Sequence, residues 1–519
     1  MTHILHIIHE LSGGGAAREL LNVVRFLGHS KGYSHTIATL APLNDQGREL
    51  AQQAEVEILE APSPGELHAA MEHADIVQVE WWNASYITPF LVQPFPLCRL
   101  VIRYHVAGDK PPHVITPKHL KLADVNILSK AKNPVLNEFE PGWRAERVQC
   151  ILHGSDFNRM PRVQRRPHNG FNVGYIGTVN FVKMHPEYVE MSNQIQIPDV
   201  RFVVCGGLSE PVLLKQVQQL KAEHKFHFMG YVEQLENVIA EMDVFGYPLC
   251  PDTYASTELV LQEVMYAGVP PVVFPYGGVT QTVKHNENGY IVQRAEEYVN
   301  AIEYLFQHPK ERKRLGAAAR KFVIRHLGIE NTASQYEDLY ERLMARPKMP
   351  HRWGVDFHTQ PAVKEDQPAA LSQSEVFIES LGVDVGRAFK ASLYGTQMDE
   401  VFRAEISILH SRYVLAKNGV IRFRNLYPED PFLNLWAGLC CEGLNDAQGA
   451  AMCYSTAISK GLTQWRIYWY LARALKQLGE HEKSQHLIKQ LQGSVQGFDH
   501  LVKRYSMDTF KPALEASVM

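Results

Sequence analysis

The sequence predicts an α/β protein of two successive parallel-sheet domains followed by an all-α helical-repeat domain. Three observations carry that reading. Short β-branched runs alternate with helical ones over the first 345 residues; the pattern restarts near residue 171 after a basic, proline-containing stretch; and beyond residue 374 the strand pattern stops. At 519 residues the chain exceeds what one core holds, roughly 250–300 residues, so several domains are required.

In chain order, HILHIIHEL predicts a strand, SGGG a tight turn, and AARELLNVVRFLGHS a helix with Leu20, Leu21, Val24 and Leu27 at helical spacing. Further strands follow at YSHTIATLAP, VEILEAP, ADIVQVEWW, RLVIRYHVAG and ADVNILSK, with polar or helical segments between several of them. This first Rossmann-like domain is expected over 1–156, ending at VQCILHGSD. The hinge segment RMPRVQRRPHNG leads into the second, expected over 157–345. Its strands are FNVGYIGTV, DVRFVVCGG, KFHFMGYV, DVFGYPL, PPVVFP and an edge strand GYIVQ; the helices after residue 295, including ENTASQYEDLYERLMA, are expected to close it. Strands separated by helices imply parallel sheets covered on both faces.

Residues 346–374 carry prolines without periodicity and read as a linker. Over 375–519 the chain becomes helical. A pattern around Leu435, Leu439, Gly443, Ala450, Tyr454 and Ala457 recurs 36 residues on at Leu471, Leu475 and Gly479, similar to a pair of tetratricopeptide-type repeats. Two such repeats are marginal alone, so the helices of 375–425 are expected to pack on them.

Apolar residues at 45% and charged residues at 21% describe a globular chain, and a net charge of −4 provides no basic field for nucleic acid. Neither a membrane span nor a secretory leader is evident, which predicts a cytoplasmic protein with any membrane contact local and peripheral, at the inner face. The seven cysteines form no Cys-x-x-Cys pair and the 24 histidines no His-Glu-x-x-His, so reduced thiols and no metal site are expected.

The chemistry is sought at strand-end turns. Gly13, Gly14 and Gly15 stand where a missing Cβ lets a ligand approach the backbone and a helix N-terminus faces an anion. Their spacing is not G-x-G-x-x-G, and the second strand ends without the acidic residue that grips a nicotinamide ribose. Arg18, one turn on, is placed to neutralise a phosphate or to lie as a solvated helix residue. Lys183 follows the strand FNVGYIGTV, where an ammonium reaches a phosphate between two domains. Glu263 sits between Leu261 and Val264 in the apolar helix TELVLQEVMYAG, for which Ser256 or Thr257 offers a cap. A carboxylate buried there without partners costs several kcal/mol, so it points to an edge, to ligand hydroxyls or to protein backbone.

The segment TELVLQEVMYAGVPPVVFPYGG resembles the second half of the paired-glutamate signature of GT-B retaining glycosyltransferases, the family 4, group 1 type that includes sucrose-phosphate synthases. The GGG turn, His105 in IRYHVAG, ILHGSD, Lys183 and GG-x-x-Q-x-V before NGYIV support the resemblance over about residues 1–345. It implies a nucleotide-sugar co-substrate, UDP- or GDP-linked, and no cofactor or metal. Glu263 would bind the ribose and Lys183 the diphosphate; backbone amides at Thr257 and Glu258 would meet the sugar–phosphate end. Gly14 and Gly15 would leave room for the diphosphate and acceptor, and His105 would lie beside the transferred sugar. Arg18, Trp82 and Asn83 are placed on the acceptor side, with Trp81 and Lys110 as further candidates.

Three departures stand out. Ala255 occupies the place of the signature's first glutamate, with Asp252 or Glu258 as substitutes; Thr178 replaces an arginine ahead of the lysine; Gln281 stands where a glutamate is frequent. Two function classes follow. One is a retaining transferase moving sugar to a glycan, lipid-linked or small-molecule acceptor, with the helical domain docking acceptor or protein partner; epimerisation and phosphorolysis are runner-up chemistries. The other is a non-catalytic interaction protein on the same fold.

Overall fold

The computed structural model describes residues 1–30, 32–158, 163–207, 211–358, 371–411 and 419–505. They divide into two compact units, one of residues 1–82 with 94–363, the other of residues 83–93 with 364–519.

The first unit holds two parallel sheets. Strands β1 (Thr2–Ile8), β2 (Tyr33–Thr39), β3 (Glu57–Glu60), β4 (Ile76–Trp81), β5 (Leu100–Tyr104), β6 (Val125–Leu128) and β7 (Val148–Cys150) lie in the order β3-β2-β1-β4-β5-β6-β7. Strands β8 (Phe171–Ile176), β9 (Val200–Cys205), β10 (Phe226–Gly230), β11 (Val244–Tyr247), β12 (Pro271–Val273) and β13 (Tyr290–Ile291) lie in the order β10-β9-β8-β11-β12-β13. Each order reverses beside its first strand, between β1 and β4 and between β8 and β11. At such a switch point the loops after adjacent strands diverge and leave a crevice at their C-terminal ends. Every residue of β4, β5 and β8 is buried, as a sheet covered on both faces requires.

Two expected boundaries move. The helix Ile329–Met344 does not close the second domain; Ile329, Ala333, Tyr336, Tyr340 and Leu343 pack on the first sheet with Ile4, Val23, Leu27, Val101 and Val125. Their spacing of three and four residues makes one apolar stripe, and Tyr340 donates to Gln78 Oε1 at 2.8 Å. The expected linker is ordered in its first part: Met349 pairs with Cys98, and Asp356 accepts from Trp143 at 2.8 Å and Arg147 at 3.1 Å. Residues 359–370 of that linker, and 159–162 of the hinge, lie outside the described residues.

The second unit is all helical. Helices Pro431–Gly443 and Ala447–Ser459, then Trp465–Gln477 and His481–Ser494, form two hairpins at the expected repeat, the second turning at Gly479 with φ +80°. Helices Met398–Leu409 and Val420–Leu426 pack on Pro431–Gly443, as two isolated hairpins require. Trp436 is fully buried among Phe377 and Phe389 and donates to Ser392 Oγ at 3.0 Å. The buried Glu405 beneath it is satisfied by Ser392, by Arg466 at 3.0 Å and by Tyr470 at 2.6 Å.

Candidate functional site

The site forms where the strand ends of the two sheets of the first unit face each other. After β1 the chain turns through Gly13 to Gly15 into the helix Gly15–Ser30. A Cβ added at Gly15 would meet nothing within 4 Å, and one at Gly14 only Ser12 Oγ at 3.5 Å, so both stand before open space. Gly13 is fixed sideways, its amide donating to Gln46 Oε1 at 3.0 Å.

Opposite stands the helix Leu259–Tyr266. Its N-cap is Glu258, in extended conformation and without a side-chain cap bond. The expected caps are used elsewhere: Ser256 Oγ donates to the His105 carbonyl at 2.8 Å and Thr257 Oγ1 to the Ser129 carbonyl at 3.4 Å. Both hydroxyls therefore tie the second domain to the first, and the first-turn amides keep the positive end of the helix for another partner.

Lys183 and Glu258 meet. The ammonium Nζ lies 2.6 Å from Glu258 Oε2, which also accepts from Tyr247 at 2.9 Å. Burial alone would lower the Lys183 pKa, but attraction to Glu258 and Tyr254 and the bond to Glu258 raise it, so the lysine is charged at neutral pH. Burial, then Glu258, pushes the Tyr247 phenol well above its ordinary value, leaving it a hydrogen-bond donor. Glu258 is thus the anchor of Lys183 rather than a free sugar-reading group.

Glu263 is buried, and its partner is neither backbone nor an open edge. Its Oε1 accepts from Arg18 Nη2, a half-exposed guanidinium reaching over from the first domain. Arg18, expected on the acceptor side, belongs to the Glu263 pair. Ala255 lies in the core of the second domain, its carbonyl accepting from the Gly278 amide at 3.1 Å. Gln281 spans the crevice: its amide donates to the Ser129 carbonyl at 2.9 Å and its oxygen accepts from the Ala131 amide at 3.2 Å. A glutamate could accept but not donate there.

The structure turns His105 away from the crevice. Its imidazole is buried, Nε2 donating to Glu80 Oε2 at 2.7 Å and Nδ1 lying 3.7 Å from Glu19 Oε2; only its carbonyl faces the second domain. The reason is electrostatic, since the buried Glu80 carboxylate holds the ring through Nε2 more strongly than an open cleft would. Glu80 also bonds His6 at 2.9 Å, and His6 bonds His35 at 3.0 Å. Burial opposes ionisation of Glu80, yet the two imidazoles bring its pKa down to about 2. Arg103, fully buried, donates to Glu19 at 3.2 Å and to the Ile151 carbonyl at 2.7 Å. Trp82 packs edge-on to His105 and His9. Asn83 is not brought to the site: it is buried and belongs to the helical unit, where the helix Ile87–Leu91 packs on Gln373–Ser380.

Sequence reading missed Glu19, Glu80, Arg103, His6 and His153. The signal was present for His6, Glu80 and Arg103, which interrupt the apolar runs of β1, β4 and β5; Glu19 on a helix and His153 after β7 carry none. Charges inside a central parallel strand need buried partners, which here come from neighbouring strands and from a helix.

Two facing parallel α/β domains with a crevice at their strand switch points, followed by an all-helical region, are a GT-B architecture. Residues 156–322 match the family model described as Glycosyl transferases group 1. The N-acetyl-alpha-D-glucosaminyl L-malate synthase of Bacillus anthracis is 27% identical over 199 residues, 38% of this chain and 46% of that protein. The chain spans less than half the length of the curated relatives it matches. The sucrose-phosphate synthase of Thermosynechococcus elongatus aligns with TM-score 0.55 and 19% identity, over 66% of this chain and all of that one. Anabaena HepE, solved with UDP-glucose, aligns with TM-score 0.54 and 17% identity over the same shares. Among the described residues, no helix is long and apolar enough to cross a membrane.

Proposed function

We propose that this chain is a retaining glycosyltransferase of the family 4 type, taking sugar from a UDP- or GDP-linked donor to an acceptor hydroxyl. One observation carries the reading: the Lys183–Glu258 and Arg18–Glu263 pairs lie at the uncapped start of the helix Leu259–Tyr266 and one turn into it, the second reaching from the helix that follows Gly14 and Gly15. Two cations, free amides and open backbone suit a diphosphate, and a buried carboxylate one turn on suits ribose hydroxyls. The matched family and the fold neighbours support it.

On donor binding, the diphosphate takes Lys183 from Glu258 and Arg18 from Glu263, freeing Glu263 for the ribose. As the bond from the anomeric carbon to the phosphate oxygen breaks, Lys183 and the helix amides stabilise the charge growing on the leaving diphosphate, while the acceptor hydroxyl attacks that carbon on the same face and passes its proton to the departing phosphate oxygen. The helical unit docks acceptor or partner, and the protein works in the cytoplasm, with peripheral contact at the membrane's inner face.

The specific test is calorimetry against a panel of UDP-, GDP- and ADP-sugars. Binding is expected, and Glu263→Ala should weaken nucleoside diphosphate and sugar nucleotide alike; no nucleotide binding at millimolar concentration would reject the reading. A second reading, a non-catalytic nucleotide-binding scaffold, is favoured by Ala255 and by the Ala107 amide donating directly to the Tyr254 carbonyl at 2.9 Å, where the two domains touch. Nucleotide binding without donor hydrolysis or transfer selects it.

A further inference from the structure

Beneath the crevice, within the first domain, the imidazole of His105 meets two other buried side chains. Glu19 comes from the helix Gly15–Ser30, His105 from the end of β5, and His153 from the segment after β7. Each offers one ligand atom, and these atoms all lie within 4.8 Å of one another. All three residues are buried, Glu19 to 1% exposure, His153 to 3% and His105 to 7%.

The decisive atom is His105 Nδ1. The other ring nitrogen is committed to Glu80 at 2.7 Å, while Nδ1 is buried with no hydrogen-bond partner among the described residues. A polar atom left so costs about 1–3 kcal/mol. It faces Glu19 Oε2 at 3.7 Å, too far for a hydrogen bond. Two ligands held about 2.1 Å from one tetrahedral ion stand roughly 3.4 Å apart, so this gap nearly matches a shared cation. Arg103 takes the opposite oxygen, Glu19 Oε1, and leaves Oε2 turned inward.

We propose that Glu19, His105 and His153 form a binding site for a zinc-class divalent cation, with the fourth position open. The Glu80–His105 bond supplies the second shell that such sites use, a carboxylate orienting the ligand imidazole through its other nitrogen. Two imidazoles and one carboxylate are a zinc donor set. To ligate, His153 gives up one of two contacts, that with Ser129 Oγ, now 3.2 Å from Nε2, or that with the Thr257 backbone. Because the site uses no residue of the diphosphate cluster, it stands or falls apart from the proposed transfer reaction.

The test is Zn²⁺ titration of the metal-stripped full chain against a chromophoric chelator. One equivalent should bind per chain, and Glu19→Gln and His153→Gln should each weaken that binding at least tenfold while nucleotide binding persists. Co²⁺ on the unsubstituted chain gives a second readout that survives a variant failing to fold: a strong visible band of four-coordinate cobalt is expected. Absence of stoichiometric binding, binding undiminished in both variants, or a weak six-coordinate cobalt spectrum would each overturn the site.

Discussion

The two α/β domains end their strands in opposite electrostatic styles. The first fills the tips of β1, β4 and β5 with a buried set, His6, Glu80, Arg103 and His105, joined by Glu19, in which charges are answered from inside the same domain. The second keeps its strand ends apolar and places its few charges at one helix start, where Glu258 holds a lysine and Glu263 an arginine from across the crevice. Pairs of the first kind are buried within one domain, so removing either partner strands a charge. Pairs of the second kind lie at an opening and can be traded for a ligand anion. The first domain is thus a preset frame, and the second carries the groups that respond.

The most severe way to break this contrast is Arg103→Met. It strands the buried Glu19 carboxylate, and removing one partner of a buried pair costs about 3–5 kcal/mol. Urea unfolding should show the transition moved to lower denaturant. Combining it with Glu19→Leu should restore most of the loss, since an apolar pair of similar volume is nearly neutral there. A loss below 1 kcal/mol would mean the frame is not held by these charges.

A second charge of the preset kind lies under the ordered segment 346–358. His351 gives both ring nitrogens to acceptors, the Leu122 carbonyl at 2.8 Å and the Cys98 carbonyl at 3.1 Å, beside the Asp124 carboxylate at 3.4 Å. Burial opposes its charge, but bonding to Asp124 and Cys98 raises its pKa from 6.5 to about 10. A raised folded pKa contributes stability that is complete below about 6.5 and is lost as pH climbs towards 10. Stability should fall by about 1.4 kcal/mol per pH unit across that window. In His351→Gln the slope should disappear, leaving a flat, lower line; an unchanged slope would place the titration elsewhere.

Lys183→Ala probes the responsive side. Losing one charge-assisted contact of about 2 kcal/mol should weaken nucleoside diphosphate binding on the order of 30-fold. The unliganded chain should lose less stability than Arg103→Met does. If the ranking reverses, Lys183 is a structural cation and the two domains are alike.

The fold was legible because its signals are local: strand length, turn glycines and the restart at residue 171 each sit in one short window. The donor-side cluster was legible in part, because Lys183 and Glu263 stand at motif positions, but their partners are 75 and 245 residues away in sequence and no periodicity joins them. His105 shows the limit most clearly. The family resemblance implied a sugar contact for it, whereas the carboxylate that turns it inward, Glu80, comes from a different strand, 25 residues away. The helix Ile329–Met344 failed for a related reason: its apolar stripe announced burial without saying against which sheet.

The smallest effect tests the exchange itself. Arg18 is partly solvated, its side chain 41% exposed, but Glu263 is only 7% exposed, so Arg18→Ala leaves a buried carboxylate at the opening and should cost the unliganded chain about 1–3 kcal/mol, less than Arg103→Met. Ligand binding should split by ligand charge. An uncharged nucleoside has no phosphate to attract Arg18 and must compete with it for Glu263, so the variant should bind uridine or guanosine a few-fold more tightly. The nucleoside diphosphate gains the same freed carboxylate but loses one cation, and its affinity should fall. Opposite signs from one substitution require that Arg18 exchange between protein and ligand anion. A loss of both affinities would show that Arg18 merely holds Glu263 in place, and the second domain's charges would then be as fixed as those of the first.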